Sequence, residues 1–435
     1  MKPASVSTKQ ERIAKLAAGN PAMAFTSLNH YLDAEWLRYA YECTRKDGAV
    51  GVDGQTGQEY AANLEQNLQS LMDRLKSGRY RALPVRRHYI DKSDGGKRAL
   101  GIPSFEEKVA QRAIAMLLEP IYEQDFRDCS FGFRPARNAH QALQVIRRGI
   151  MERRGGRWVL EVDVRKYFDS IDHAKLRELL SRRVTDGVVR RLIDKWLKAG
   201  VMERGQLSYP GTGTPQGGVI SPLLSNVFLH YVLDEWFAEQ VQPRLRGISA
   251  LVRYCDDFVM LCACREDAER VQEVLGKRLA KFGLELHPEK TRLIDFRPPA
   301  ERAGAETRLP RTFVFLGFLH VWGKSRKGNA AMWQRTAKDR LARTLKAINE
   351  RCRQMRSWPL AEQHRRLCWM LKGHFAYFGI SGNYERLTSV VYQTRRLWRK
   401  WLSRRSRTSQ VTWEQFLRLA ARYPLPAPRI VHRYI

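Results

Sequence analysis

Two carboxylates, Asp256 and Asp257, stand side by side between apolar runs in LVRYCDDFVMLC, residues 251–262. A plain hairpin turn reads this way, and so does a metal-holding tip. If 251–255 and 258–262 pair as strands, YCDD is the tip that joins them. Neighbours along a strand face opposite ways, so Tyr254 and Asp256 share one face and Cys255 and Asp257 the other. RWVLEVDVRKYFDSIDH carries another candidate carboxylate. From Trp158 to Val164 the chain alternates: Trp158, Leu160, Val162 and Val164 point one way, Val159, Glu161 and Asp163 the other. Asp163 therefore ends a strand on the face away from the apolar set. Only one of Asp256 and Asp257 can share a face, and a target, with Asp163. Asp256 is the expected direct partner and Asp257 a nearby helper.

Strand-end carboxylates that converge make a site for hard divalent cations. Mg²⁺ prefers oxygen ligands and takes one or two carboxylates plus phosphates. Two such ions, roughly 3.5–4 Å apart, can clamp an in-line phosphoryl displacement. One activates the attacking hydroxyl; the other neutralises the leaving pyrophosphate. This chemistry needs no His or Cys, and none is suitably spaced here. An Asp-Asp pair alone is most often a turn or a solvated surface. Its combination with GTPQGGVISPLLSN and a basic chain narrows the choice.

The elements that must position these groups come from a chain of 435 residues, 43% of them hydrophobic, enough for a sizeable core and two or three domains. Lys and Arg number 77 against 45 Asp and Glu, a net charge of +32, which predicts attraction to a polyanion such as nucleic acid. From Glu301 onward there are 29 Lys and Arg, 7 Asp and Glu, and seven of the 11 Trp. Aromatics among cations suit an RNA surface; Trp in helix cores with Arg outside is the simpler arrangement, and some of both is expected. The 7 Cys are odd in number and contain no CxxC pair, which speaks against a disulfide framework or a zinc knuckle and fits a reducing cytoplasm. There is no apolar core of signal-peptide length and no run near the ~18 apolar residues of a membrane span, so no membrane partner is expected.

Residues 1–20 are polar and expected to be mobile. Helical patterns cover 34–44 and 58–77. YRALPVRRHYIDKSDGGKRALGIPS reads as two short strands joined by SDGG. A helix follows, with Val109, Ala113, Met116 and Leu117 on one face, then a loop and a second helix. After the Asp163 strand, Asp172 has the place of a helix N-cap. Helices follow to about 199, and a Gly-rich loop then runs into a long helix. The opening hairpin, a helix at 265–282, a strand pair at 284–296 and the strand TFVFLGF come next. Helices dominate from about 331 to 405. The class is α+β, with a helical, basic last third and linker character at 319–330.

These blocks, in this order from about residue 25 to the end, resemble a reverse transcriptase of the kind encoded by bacterial group II introns, the intron maturase. GVDGQT resembles that family's N-terminal segment. DKSDGGKRALGIPS and FGFRPARNAHQAL match its fingers, VDVRKYFDSIDH its first metal motif, and GTPQGGVISPLLSNVFL its template and nucleotide segment. YCDDFV corresponds to the Y-x-D-D box; GLELHPEKTRLIDF and FVFLGF match the last palm motifs. LKGHFAYFGISGN with RLWRKWLSRRS resembles the helical thumb, or X, domain.

The resemblance implies a right-hand polymerase: an N-terminal extension of the fingers over 1–75, fingers and palm over 76–318, a helical thumb/X domain over 319–406 and a short basic tail over 407–435. It implies two Mg²⁺ ions on Asp163 and Asp256, with the Val164 carbonyl a further ligand and Asp257 assisting. Lys92 and Arg98 would hold the incoming dNTP by its triphosphate. Phe168, at the place of the steric gate, would exclude a ribose 2′-OH; a core Phe is the plainer alternative. Gln216 would lie against nucleotide or template, with Gly217 and Gly218 letting the backbone come close. Lys290 would stand near the pyrophosphate as an acid, or be a surface Lys. Leu316 and Gly317 would touch the primer end.

The sequence departs from the pattern at Cys255, where Ala is common, and at Arg165-Lys166, where Lys-Gly is frequent. It ends at PLPAPRIVHRYI with no Cys-rich nuclease block, so second-strand cleavage is not expected. The implied function is an RNA-directed DNA polymerase that uses an intron RNA template and a DNA primer or target, and assists splicing. A splicing factor with an idle polymerase, and a stand-alone reverse transcriptase of defence or repair, are the alternatives.

Overall fold

The computed structural model describes the chain apart from residues 1, 92–94, 153–154, 204, 210, 214–216, 303–309, 326, 406–409 and 434–435. It is mixed in helix and sheet, as the α+β pattern predicts. The strands are β1 (Val85–Asp91), β2 (Lys97–Ile102), β3 (Trp158–Val162), β4 (Val201–Glu203), β5 (Gln206–Ser208), β6 (Ser249–Tyr254), β7 (Asp257–Cys262), β8 (Arg292–Asp295), β9 (Phe313–Phe315), β10 (Phe318–Lys324) and β11 (Ala330–Thr336). They form sheets ordered β2-β1-β4-β5, β6-β7-β3-β8 and β11-β10-β9. Two compact units divide the chain: Met1–Ala142 with Leu160–Arg292, and Leu143–Val159 with Leu293–Ile435. Among the described residues no helix is long and apolar enough to cross a membrane.

In the first unit the helix Phe105–Asp125 is the central rod. Ser104 caps it by accepting the Glu107 N–H at 3.2 Å, and Val109, Ala113, Met116 and Leu117 are buried as their spacing predicts. The expectation of a mobile N-terminus is corrected here. Ala4–Gly19 is a helix that buries Val6, Ile13 and Ala17, and Gln10 Nε2 donates to the Met116 carbonyl at 2.9 Å. Three apolar positions on one stripe suffice when a neighbouring helix supplies the other half of the contact.

β1 and β2 pair antiparallel, with Ile90 opposite Arg98, and β1 pairs parallel with β4. β3 is buried on both sides save for Glu161, which pairs with Arg292. The strand stops at Val162, short of the expected Val164, which makes only an isolated bridge with Leu286. The expected strand pair at 284–296 reduces to that bridge and β8. Pro288 lies between them and has no N–H to give to a ladder. Asp172 caps the helix His173–Ser181 through the N–H groups of Ala174 and Lys175, at 2.8 and 3.0 Å, as expected.

In the second unit the stretch 319–330, expected as a linker, is largely strand. β10 pairs with β11 along its whole length, and Ser325 closes the loop by donating its N–H to the Asn329 carbonyl at 2.8 Å. Gly, Lys and Ser mark a hairpin loop as readily as a linker. Helices Lys338–Gln354, Leu360–Phe378, Tyr384–Leu402 and Trp413–Arg422 follow. They bury Ile348, Leu371, Trp398, Trp401 and Phe416 in one cluster. Trp369 and Trp413 stay exposed, with Arg365 and Arg366 over the first ring and Arg399 over the second. The tryptophans thus serve both core and surface.

Candidate metal and nucleotide site

The last residue pair of the β6–β7 hairpin is Tyr254 with Asp257, so Cys255 and Asp256 form a two-residue loop. Cys255 has φ +59° and Asp256 has none of the positive-φ character, the pattern of a II′ turn, where glycine usually takes the first place. The strand-face assignment is corrected accordingly. Alternation ends at Tyr254, Asp256 projects from the turn, half-buried, and Asp257 opens β7, exposed. The Cys255 side chain is buried, with its sulfur 3.5 Å from Ser225 Oγ. Burial pushes its thiol up to about 12, so it stays protonated and unreactive at neutral pH.

Long-range contacts hold this unusual turn. Arg253, wholly buried, makes a two-point ion pair with Asp234 at 2.8 and 2.5 Å. Its remaining nitrogen donates to Asn226 Oδ1 at 2.9 Å and to the Cys255 carbonyl at 3.0 Å. Burial alone would lower the Arg253 pKa; the charge and hydrogen bonds of Asp234 outweigh it and hold the guanidinium above its ordinary value. Sequence reasoning missed this network. Its signal is a lone Arg in the apolar strand ALVRYC and an acidic pair, Asp234 and Glu235, in the otherwise apolar helical run HYVLDEWF.

Asp163 follows β3 directly, and β3 lies beside β7. The Asp163 carbonyl accepts the His287 N–H and the Arg165 N–H donates to the Glu285 carbonyl, both at 2.8 Å. Carbonyls alternate along an extended chain, so the Val164 carbonyl faces away from 285–287. The Asp163 side chain pairs with Lys290 at 3.1 Å. Burial pushes the Asp256 carboxyl up; hydrogen bonds, one of them from Cys255, and the Arg98 charge oppose this, and the Asp163 charge adds to it. The chain thus gathers Asp163, Asp256, Arg98 and Lys290. Among the described residues no group of three or more His, Cys, Asp or Glu forms a closed cage. Two carboxylates suit a hard cation that completes its shell with water and phosphate.

Residues 90–320 match the family described as reverse transcriptase (RNA-dependent DNA polymerase). The chain belongs to this family. It is 34% identical over 356 residues to protein YkfC of Escherichia coli K12, covering 74% of this chain and 90% of that protein. It is 32% identical over 376 residues to the group II intron-encoded protein LtrA of Lactococcus lactis subsp. cremoris, covering 73% of this chain and 62% of that one. The putative COX1/OXI3 intron 1 protein of Saccharomyces cerevisiae is 32% identical over 272 residues, 52% of this chain and 32% of that protein. The chain thus spans about three fifths of LtrA and a third of the yeast protein.

Other expected site residues of this reverse transcriptase divide by place. Phe168 sits at the edge of the first unit's core, edge-on to Tyr167 with ring centres 5.3 Å apart. A Cβ on Gly213 would come within 3.0 Å of the Phe168 carbonyl oxygen, so the Gly-rich loop lies on this backbone. Gly217, at φ +117°, abuts Gly101 of β2; a Cβ there would lie 2.6 Å from its carbonyl oxygen. Gly218 is buried, and Gln111 accepts the Val219 N–H at 2.8 Å. Lys92 and Gln216 lie outside the described residues. Leu316 and Gly317 belong to the second unit, as the two positive-φ residues of the β9–β10 turn. There the Tyr377 hydroxyl donates to the Leu316 carbonyl at 2.9 Å and the Ala337 N–H to that of Gly317 at 3.0 Å.

Proposed function

We propose that this reverse transcriptase is the polymerase of a group II intron, which copies RNA into DNA from a DNA primer or target and also binds its intron RNA to assist splicing and mobility. Its right hand would comprise fingers and palm over 76–318, extended by 1–75, a thumb/X domain over 319–406 and a basic tail over 407–435. The observation that carries the polymerase reading is that Asp163, at the end of β3, and Asp256, in the turn of the hairpin whose β7 lies beside β3, are near enough for the Asp163 charge to act on the Asp256 carboxyl, as does that of Arg98. Similarity to LtrA and the basic, Trp-bearing helices support the intron role.

Asp163, Asp256 and the Val164 carbonyl would hold two Mg²⁺ ions, with Asp257 assisting. When bound, such ions favour the ionised primer hydroxyl and offset charge on the leaving pyrophosphate. Arg98, with Lys92, would grip the triphosphate of the dNTP: a planar fork and a point charge for phosphate oxygens. Lys290, ion-paired with Asp163 at 3.1 Å, would stand near the leaving pyrophosphate as an acid. Phe168 would close the ribose side against a 2′-OH, Gln216 would lie against nucleotide or template, and Leu316 with Gly317 would meet the primer end.

The test is extension of a DNA primer on an RNA template with Mg²⁺ and dNTPs. Wild-type protein should extend and Asp256→Ala should fall to background. Robust extension by that variant ends the metal assignment. Splicing of the intron RNA by the same variant separates RNA binding from polymerisation.

A further inference from the structure

The segment Cys129–Arg134, from the motif FGFRP, is laid along the β6–β7 hairpin and pinned on both sides of one residue. The Arg253 N–H donates to the Cys129 carbonyl at 2.8 Å and the Phe131 N–H to the Arg253 carbonyl at 2.9 Å. Gly132 touches the turn backbone so closely that a Cβ would lie 2.5 Å from the Cys255 nitrogen, and Asn226 Nδ2 donates to the Gly132 carbonyl at 2.7 Å. Arg134 is buried, paired with Glu123 at 3.0 Å, and donates to the carbonyls of Arg127 and Ser130 at 2.8 and 2.9 Å.

Between these anchors stands Phe133. Its φ is +54°, a region that a bulky side chain enters only under strain and that Asn or Gly takes at lower cost. Phe133 is 62% exposed, so the core gains little from it. Among the described residues five non-glycines have positive φ, and of these Phe133 alone carries an exposed aromatic ring. A single exposed apolar residue needs no explanation. An exposed ring held in a strained backbone by fixed neighbours does, because such strain clusters where ligands are contacted. The ring centre lies 6.2 Å from that of Tyr254, tilted at 46°. The two rings form a ledge next to the turn that bears Asp256.

We propose that Phe133 packs against the template–primer duplex beside the reacting end, its ring lying on sugar and base edges. This rests on the polymerase reading. An uncharged ring on a duplex gives contact without base identity, as copying any template requires, and its fixed mounting sets how far the duplex stands from the carboxylates.

Phe133→Asn separates this role from a structural one, since Asn suits the backbone and removes the ring. Three measurements are made: melting temperature, anisotropy of a labelled RNA/DNA template–primer without dNTP, and steady-state extension. The expected result is an unchanged or higher melting temperature, duplex affinity weakened about tenfold, and a loss of extension that falls on the duplex KM rather than on kcat. Phe133→Leu should recover part of the affinity. Unchanged duplex affinity in Phe133→Asn, or affinity lost only in step with melting temperature, overturns the proposal. A wild type that binds duplex but does not extend it overturns the polymerase reading and leaves the Phe133 comparison readable. A wild type that binds no duplex overturns both.

Discussion

Arg253 and Asp234 meet in a two-point ion pair with neither side chain exposed, and through Arg253 this pair reaches the carbonyl of Cys255 in the turn that bears Asp256. A buried pair costs desolvation and is not by itself a source of stability, yet losing one partner leaves an uncompensated charge. The pair therefore makes the turn conditional on the folded core behind it.

Asp234→Ala should destabilise the protein by about 3–5 kcal/mol, read as a fall in the denaturant midpoint. Asp234→Asn keeps the shape and one acceptor and should lose less stability. Because Arg253 also holds the turn, extension by Asp234→Asn should fall further than its stability does. Full activity in a folded Asp234→Asn variant would show that the turn does not depend on the pair.

Phe168 separates two uses of one ring. As a gate it would exclude ribonucleotides; as an edge-of-core residue it would only pack on Tyr167. Phe168→Val should lower the preference for dNTP over rNTP by at least about tenfold in kcat/KM, with a modest drop in melting temperature. Unchanged discrimination together with lower stability would leave Phe168 a packing residue.

How much of this was legible in the sequence follows from the range of each interaction. The ordered motif blocks pointed to Asp163 and Asp256 as a pair, whereas strand alternation did not: β3 is buried on both sides and stops at Val162, and Asp256 lies in a turn where no strand face is defined. The positive φ of Cys255 was not legible: nothing in a Cys demands it, and it is held by Gly132, Asn226 and Arg253, all distant or buried partners. The N-terminal helix was misread because Val6, Ile13 and Ala17 are sparse until the helix Phe105–Asp125 is placed beside them. The β10–β11 hairpin was misread because its loop has the composition of a linker. Arg253 stood out as a lone charge in an apolar strand, but Asp234 shares its run with Glu235, and choosing and pairing the partner required the fold.

His320 is wholly buried in the second unit and stacks on Phe313 with ring centres 4.2 Å apart. The Phe318 carbonyl can only accept, so Nδ1 carries the proton at 3.1 Å, and Gln334 Nε2 donates to Nε2 at 3.1 Å. Burial lowers its pKa to about 3. The unfolded chain takes a proton near pH 6.5 and the folded chain does not. Stability from His320 is therefore complete above pH 6.5 and is lost as pH falls toward 3, by about 1.4 kcal/mol per unit. The stability advantage of wild type over His320→Gln should shrink from pH 7 to pH 5 in urea unfolding. A constant difference would mean the ring is not held neutral.

Glu107 runs the other way. It is buried in the first unit, where its carboxylate accepts the Leu83 N–H beside Gln111 and Trp196. Burial, with the charges of Asp53 and Glu106 adding to it, outweighs the backbone hydrogen bonds and raises its pKa to about 7. Between about pH 4.5 and 7 the folded protein holds a proton that the unfolded chain has released, so stability declines as pH rises through this window and levels off above it. The full effect is about 3 kcal/mol. Glu107→Gln stays neutral and can still accept from Leu83. Its stability relative to wild type should rise from pH 5 to pH 7.5, opposite in sign to the His320 variant over nearly the same range. Parallel pH curves for wild type and Glu107→Gln would show that this carboxyl is already ionised in the folded state at pH 5.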